Sequence, residues 1–122
     1  MPKLVLFLFL FTAFSVYSVI VYTEGTKGPV PGMNGKAAQG KMLFQKHNCT
    51  ACHQIYGLGG FLGPELTTVM SDPEKGEFFA RAILKTGTRR MPDFRLNEEE
   101  TDNLVEFLKY VDQTAVTYRT KK

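Results

Sequence analysis

The chain has 122 residues, 43% hydrophobic and 22% charged, with a formal net charge of +3. Those proportions exclude wholesale disorder, and so small a positive excess excludes a polybasic nucleic-acid binder, so no nucleic acid is expected as a partner. Two Cys and two His exclude a disulfide-rich scaffold and a multi-His metal site.

Residues 4–22 read LVLFLFLFTAFSVYSVIVY, without a charge, Gly or Pro. As a helix this run rises about 29 Å at ~1.5 Å per residue, which matches a hydrocarbon core. Tyr17 and Tyr22 stand toward its outer end, as an aromatic belt requires. The rival reading is a cleaved signal peptide, with Lys3 before the apolar core and small residues at Ala13 and Ser15. The apolar run continues well past Ser15, which favours a retained transmembrane anchor over residues 1–23, seated in a lipid bilayer. Lys3 before the span and Lys27, Lys36 and Lys41 after it leave its orientation undecided by charge.

Residues 24–35 are rich in Gly and Pro and read as a linker. Fully extended at ~3.3 Å per residue, such a segment reaches about 40 Å. Residues 36–122 form the soluble domain. A first helix over residues 36–47 places Ala37, Gly40 and Phe44 on one face, and a Gly inside a helix suits a close crossing. A Gly-rich loop follows, then a short turn of helix over residues 66–71. Residues 77–86 predict a helix with Phe79, Ala82 and Ile83 on one face and Gly87 as its stop. Pro92 disfavours helix at Met91, so residues 87–94 are an irregular loop. The last helix has Asn97 as N-cap, Glu100 in capping-box spacing and a Leu104, Phe107, Leu108, Val111 stripe. No segment alternates with period two, so the fold class is all-α: one N-terminal transmembrane helix plus a helical domain.

Residues 49–53 read C-T-A-C-H, the attachment signature of a c-type haem. The spacing has a physical reason. Each thiol bonds one vinyl group of the macrocycle, so Cys49 and Cys52 must reach neighbouring pyrroles from one turn of chain, and His53 then meets the iron from the same side. A zinc site would need two more ligands, of which His47 is the sole further His, and a redox disulfide would need a βαβ setting that is absent. One covalent haem c is therefore expected.

The sixth iron ligand is read among five Met. Met1 is terminal, Met33 is in the linker, and Met42 lies on the helix that runs into the motif. Met91, in a Pro-stiffened loop between two helices, is favoured, with Met70 as the alternative. His47 reads as an exposed helix-end residue. His/Met ligation saturates the iron and raises its potential, which suits single-electron transfer rather than substrate binding. A domain this small buries little surface, and the macrocycle would complete the core. Phe44, Leu58, Phe61, Leu62, Leu66, Phe78, Phe79, Ile83, Phe94, Leu104 and Phe107 are its expected wall.

From Lys36 onward the chain resembles a class I cytochrome c, with Gly40 and Phe44 against Leu104 and Phe107 matching that family's crossing terminal helices. The resemblance implies that the Pro64 carbonyl orients His53 through Nδ1. The anchor, the linker, G-P-E-L at residues 63–66 and the stretch from Arg89 to Thr114 together resemble the cytochrome c subunit of bacterial nitric oxide reductase. That resemblance implies Met91 as the ligand and Arg89 or Arg90 as a neighbour of the haem propionates. It further implies a single-pass protein of the bacterial cytoplasmic membrane with its haem domain on the periplasmic side. It would take electrons from a soluble or membrane donor and pass them to a multi-span haem–copper catalytic subunit. On this reading the chain is not an enzyme on its own. The alternative is a carrier or subunit for a terminal oxygen reductase.

Overall fold

A computed structural model describes residues 1–25 and 32–115. Residues 26–31, the middle of the expected linker, and the basic tail at 116–122 lie outside the described residues. The chain divides into two compact units, Met1–Pro31 and Gly32–Lys122.

The first unit is α1, Pro2–Glu24, a helix of 23 residues. Proline at its first turn needs no N–H partner there. At ~1.5 Å per residue it is about 34 Å long, and it is long and apolar enough to cross a membrane. Two of its polar side chains are satisfied within the helix: the Thr12 and Thr23 hydroxyls donate to the carbonyls of Leu8 (2.8 Å) and Val19 (2.7 Å). Internal satisfaction of this kind is what hydrocarbon demands of a hydroxyl.

The second unit begins with α2, Gly35–Lys46, capped by Asn34, whose side chain accepts the Ala37 N–H at 2.8 Å. Then come a 3₁₀ turn at Cys49–Ala51, a small hairpin of β1 (Gln54–Ile55) and β2 (Leu58–Gly59), α3 (Gly76–Thr86) and α4 (Glu98–Thr114). The all-α expectation holds, with the two-residue antiparallel hairpin as an addition. Tyr56 (φ 53°) and Gly57 (φ 78°) both take left-handed conformations, the geometry of a tight two-residue hairpin turn. Residues 67–70 form turns, where a short helix was expected.

The core sits where α2 crosses α4. A Cβ on Gly40 would fall on the Asn103 carbonyl and within 2.8 Å of Phe107 Cβ, so the helices touch backbone to backbone. Phe44 and Phe107 then pack with ring centroids 5.4 Å apart, and Leu104, Leu108, Val111 and Val69 complete the cluster. Each such fully buried side chain contributes roughly 1.5–3 kcal/mol. Asn103 donates to Gln39 Oε1 at 2.9 Å beside the crossing. α4 starts with both halves of the capping box, Glu100 N–H to Asn97 Oδ1 (2.8 Å) and Asn97 N–H to Glu100 Oε2 (3.0 Å).

The expected apolar wall divides. Phe44, Leu104 and Phe107 are buried, and Leu66 packs on the cluster from its edge. Leu58, Phe61, Leu62, Phe78 and Phe79 lie at the protein surface, Phe61 and Phe78 with 87% and 89% of their surface exposed, and so stand available to an apolar macrocycle. No residue of α3 is buried. Leu84 of α3 packs on the core cluster, and ion pairs join α3 to α4 beside it: Arg81 bridges Glu77 (2.9 Å) and Asp102 (2.5 Å), while Lys109 joins Glu77 (2.9 Å) to Glu106 (3.1 Å).

Candidate functional site

Asn48 leaves α2 in the left-handed region (φ 51°), a conformation its short polar side chain tolerates. The chain then coils tightly enough that the N–H groups of Cys52 (3.2 Å) and His53 (2.9 Å) both donate to the Cys49 carbonyl. Two thiols and an imidazole thus project from one turn. Both thiols are free. Burial pushes the Cys49 thiol above its usual 9.0, and the neighbouring Cys52 adds to the effect.

The hairpin returns the chain across this turn. The Gly60 N–H donates to the Thr50 carbonyl (2.8 Å) and the Gly63 N–H to the Cys52 carbonyl (2.7 Å). Next, the Pro64 carbonyl stands 2.8 Å from His53 Nδ1. A carbonyl only accepts, so Nδ1 carries the proton and the Nε2 lone pair is left for a ligand. Gly63 lies against the same ring: a Cβ there would come within 2.6 Å of Nδ1 and 2.9 Å of Nε2. Cβ atoms on Gly59 and Gly60 would fall on the His53 and Ala51 carbonyls. Because the loop packs through glycine backbone, Leu58, Phe61 and Leu62 turn outward.

A polar chain fastens this loop to α4. Thr67 donates its hydroxyl and its N–H (3.0 Å) to Glu65, and its hydroxyl oxygen accepts the Tyr56 N–H at 2.7 Å. The Tyr56 hydroxyl meets Thr114 Oγ1 at 2.5 Å. Sequence reasoning missed this chain and Gly63. The signal for Gly63 was its place next to Pro64, one residue from the carbonyl that holds the imidazole.

Met91 is half-buried in the loop between α3 and α4. Arg89 and Arg90 are exposed, and among the described residues neither has an ion-pair partner. Three residues after Met91, Phe94 packs on His47 with ring centroids 4.8 Å apart. This corrects the expectation of an exposed His47: the ring is partly covered, and its Nε2 is buried without a hydrogen-bond partner among the described residues. The contact ties the Met91 loop to the end of α2 that leads into Cys49. Met70 packs against the hydrophobic cluster, whereas Met42 is exposed. Cys49, Cys52, His53 and Pro64 are therefore gathered by direct bonds, and the loop that carries Met91 is anchored through Phe94 to His47, two residues before Cys49.

Residues 35–108 match the family described as cytochrome C oxidase, cbb3-type, subunit III. The chain belongs to that family. Among curated proteins it is similar to the nitric oxide reductase C subunit of Stutzerimonas stutzeri, 32% identical over 66% of this chain and 62% of the relative. The protein of the same name from Cereibacter sphaeroides is 32% identical, over 68% of this chain and 65% of the relative. That of Paracoccus denitrificans is 29% identical over 85% of this chain and 77% of the relative. The chain thus spans under two thirds of the length of the first two relatives.

A cytochrome c of this family implies a haem c, and the residues fit one. The donor set is two free thiols in C-x-x-C-H spacing and an imidazole whose Nδ1 is already engaged, so that Nε2 is the donor.

Proposed function

We propose that the chain is the electron-input subunit of a membrane haem–copper complex that reduces nitric oxide. The observation that carries the reading is the 2.8 Å contact between His53 Nδ1 and the Pro64 carbonyl, directly after Cys49 and Cys52. Cys49 and Cys52 would anchor one haem covalently, with His53 and Met91 as its axial ligands. The haem supplies one-electron exchange at its iron. His53, polarised by Pro64, is the stronger donor, and the thioether of Met91 favours the reduced state. With both His53 and Met91 as ligands the iron would offer no open position for substrate, and the chemistry would belong to a second, multi-span subunit. Arg89 and Arg90, free of ion pairs among the described residues, supply positive charge suited to the propionates.

The helix α1 would hold the domain at the membrane, with the haem domain on the periplasmic side, where a soluble or membrane donor reaches it. Tethering raises the effective concentration of the haem at one acceptor. The relatives named as parts of nitric oxide reductase support this partner. A terminal oxygen reductase is the second reading, favoured by the family description itself.

The test is purification in mild detergent. The complex should contain a multi-span subunit with a catalytic haem–metal site and consume nitric oxide. The separated chain should titrate reversibly with one electron and reduce neither gas. Oxygen consumption without nitric oxide consumption would select the second reading, and turnover by the separated chain would overturn both.

A further inference from the structure

Both backbone polar groups of Met91 are held by one residue. The Thr88 N–H donates to the Met91 carbonyl at 2.8 Å. The Thr88 hydroxyl oxygen accepts the Met91 N–H at 3.1 Å and, more weakly, the Arg90 N–H at 3.4 Å. Among the described residues the Met91 backbone has no other hydrogen-bond partner. The three bonds close residues 88–91 into a ring with Met91 at its exit.

The flanks hold that ring in place. Gly87 ends α3 with φ 64°, its N–H bonded to the Ile83 carbonyl at 2.8 Å. A Cβ on Gly87 would come within 2.8 Å of both the Met91 carbonyl oxygen and Asp93 N, so the chain wraps around a position that glycine alone fills. Beyond Met91, Pro92 fixes φ and Asp93 accepts the Arg95 N–H at 2.8 Å. Phe94 then packs on His47. The loop is anchored at both ends, and Thr88 is the sole link from its first anchor to the Met91 peptide groups.

We propose that Thr88 is a positioning residue for the axial sulfur: its hydroxyl presets the Met91 backbone so that the thioether stays at the iron. The proposal rests on the reading of Met91 as the ligand. A thioether is neutral and binds ferric iron weakly, so its hold depends on a loop that keeps it at high effective concentration. Without the hydroxyl, the Met91 N–H loses its acceptor, and the loop gains conformations in which the sulfur is away from the iron.

The experiment uses the full-length haem-loaded chain in detergent, with Thr88→Val, Thr88→Ser and Met91→Ala variants. The readouts are the near-infrared sulfur-to-iron band of the ferric protein, titration with imidazole as a competing ligand, and the denaturant midpoint. Valine keeps the branched shape and removes the acceptor. Thr88→Val should weaken the band and bind imidazole about tenfold more tightly, equal to ~1.4 kcal/mol. Thr88→Ser, which restores the hydroxyl, should behave as wild type. If Thr88→Val does not load haem, Thr88→Ala reads the same step with the same expected direction. Wild-type imidazole affinity in the variants lacking the hydroxyl, even with a lowered denaturant midpoint, overturns the proposal, as does Thr88→Ser behaving like Thr88→Val. Met91→Ala separates the two layers. If it abolishes the band while Thr88→Val is silent, the positioning role alone fails. If it leaves the band intact, Met91 is not the ligand and both fail.

Discussion

His53 is held on two sides by neighbours that differ in how readable they are. Cys49, Cys52 and His53 declare themselves because covalent attachment forces them to be contiguous. Pro64, eleven residues on, is expected from resemblance, and the 2.8 Å bond shows its carbonyl in place. Gly63 has no chemistry of its own to announce it, since its role is the absence of a side chain. Replacing it tests that role. A Cβ in Gly63→Ala would meet the His53 ring, and the ring has to tilt away from Pro64. Such overpacking costs about 1–3 kcal/mol. Gly63→Ala should therefore lower the denaturant midpoint and shift the reduction potential of the haem-loaded chain. An unchanged potential would show that the imidazole does not depend on this contact. His47 departs from expectation for a related reason: a residue at a helix end looks exposed until a distant ring, Phe94, covers it.

Helix boundaries are more legible than helix environments. Asn97 and Glu100 form the expected capping box, and Gly87 ends α3 as its sequence position implies. These signals act within one turn of chain. Phe79 and Ile83 read as an apolar stripe of α3, and Leu84 of the same helix packs against the core cluster. Ion pairs join α3 to α4 beside that contact, and they give a pH dependence. Lys109 and Arg81 hold the Glu77 carboxyl below its ordinary 4.5, and Arg81 holds Asp102 below 3.8. Groups with depressed pKa values contribute stability above their unfolded values and lose it as pH falls through the folded ones. Lys109, raised above 10.5 chiefly by Glu77, contributes below that value and loses its share as pH rises further. Arg81→Gln should therefore lower the denaturant midpoint near neutral pH. The gap to wild type should narrow only as pH falls below 3.8 and through the depressed folded pKa of Asp102, where both proteins become protonated at that carboxyl. A gap that persists undiminished at about pH 2–3 would assign the effect to packing of the Arg81 stem instead.

The division into Met1–Pro31 and Gly32–Lys122 sets where the molecule can be cut. The sequence places the soluble domain from Lys36, but Met33 packs on the core cluster and Asn34 caps α2. A chain beginning at Gly32 should remain soluble without detergent and keep the full-length visible spectrum when loaded with haem. One beginning at Lys36 should have a lower denaturant midpoint, by about 1 kcal/mol for the lost cap alone. Aggregation of the longer fragment would place the boundary elsewhere.

The apolar span, the capping residues, the haem motif and the all-α class were set locally, by hydropathy, by hydrogen bonds within one helical turn and by covalent spacing. The backbone contact of Gly40 with Asn103, the Gly63 face against His53 and the Thr88 ring around Met91 needed the folded chain. All three are contacts of particular atoms. Such outcomes follow from how distant segments dock and how loop backbone turns, and residue type alone does not specify them.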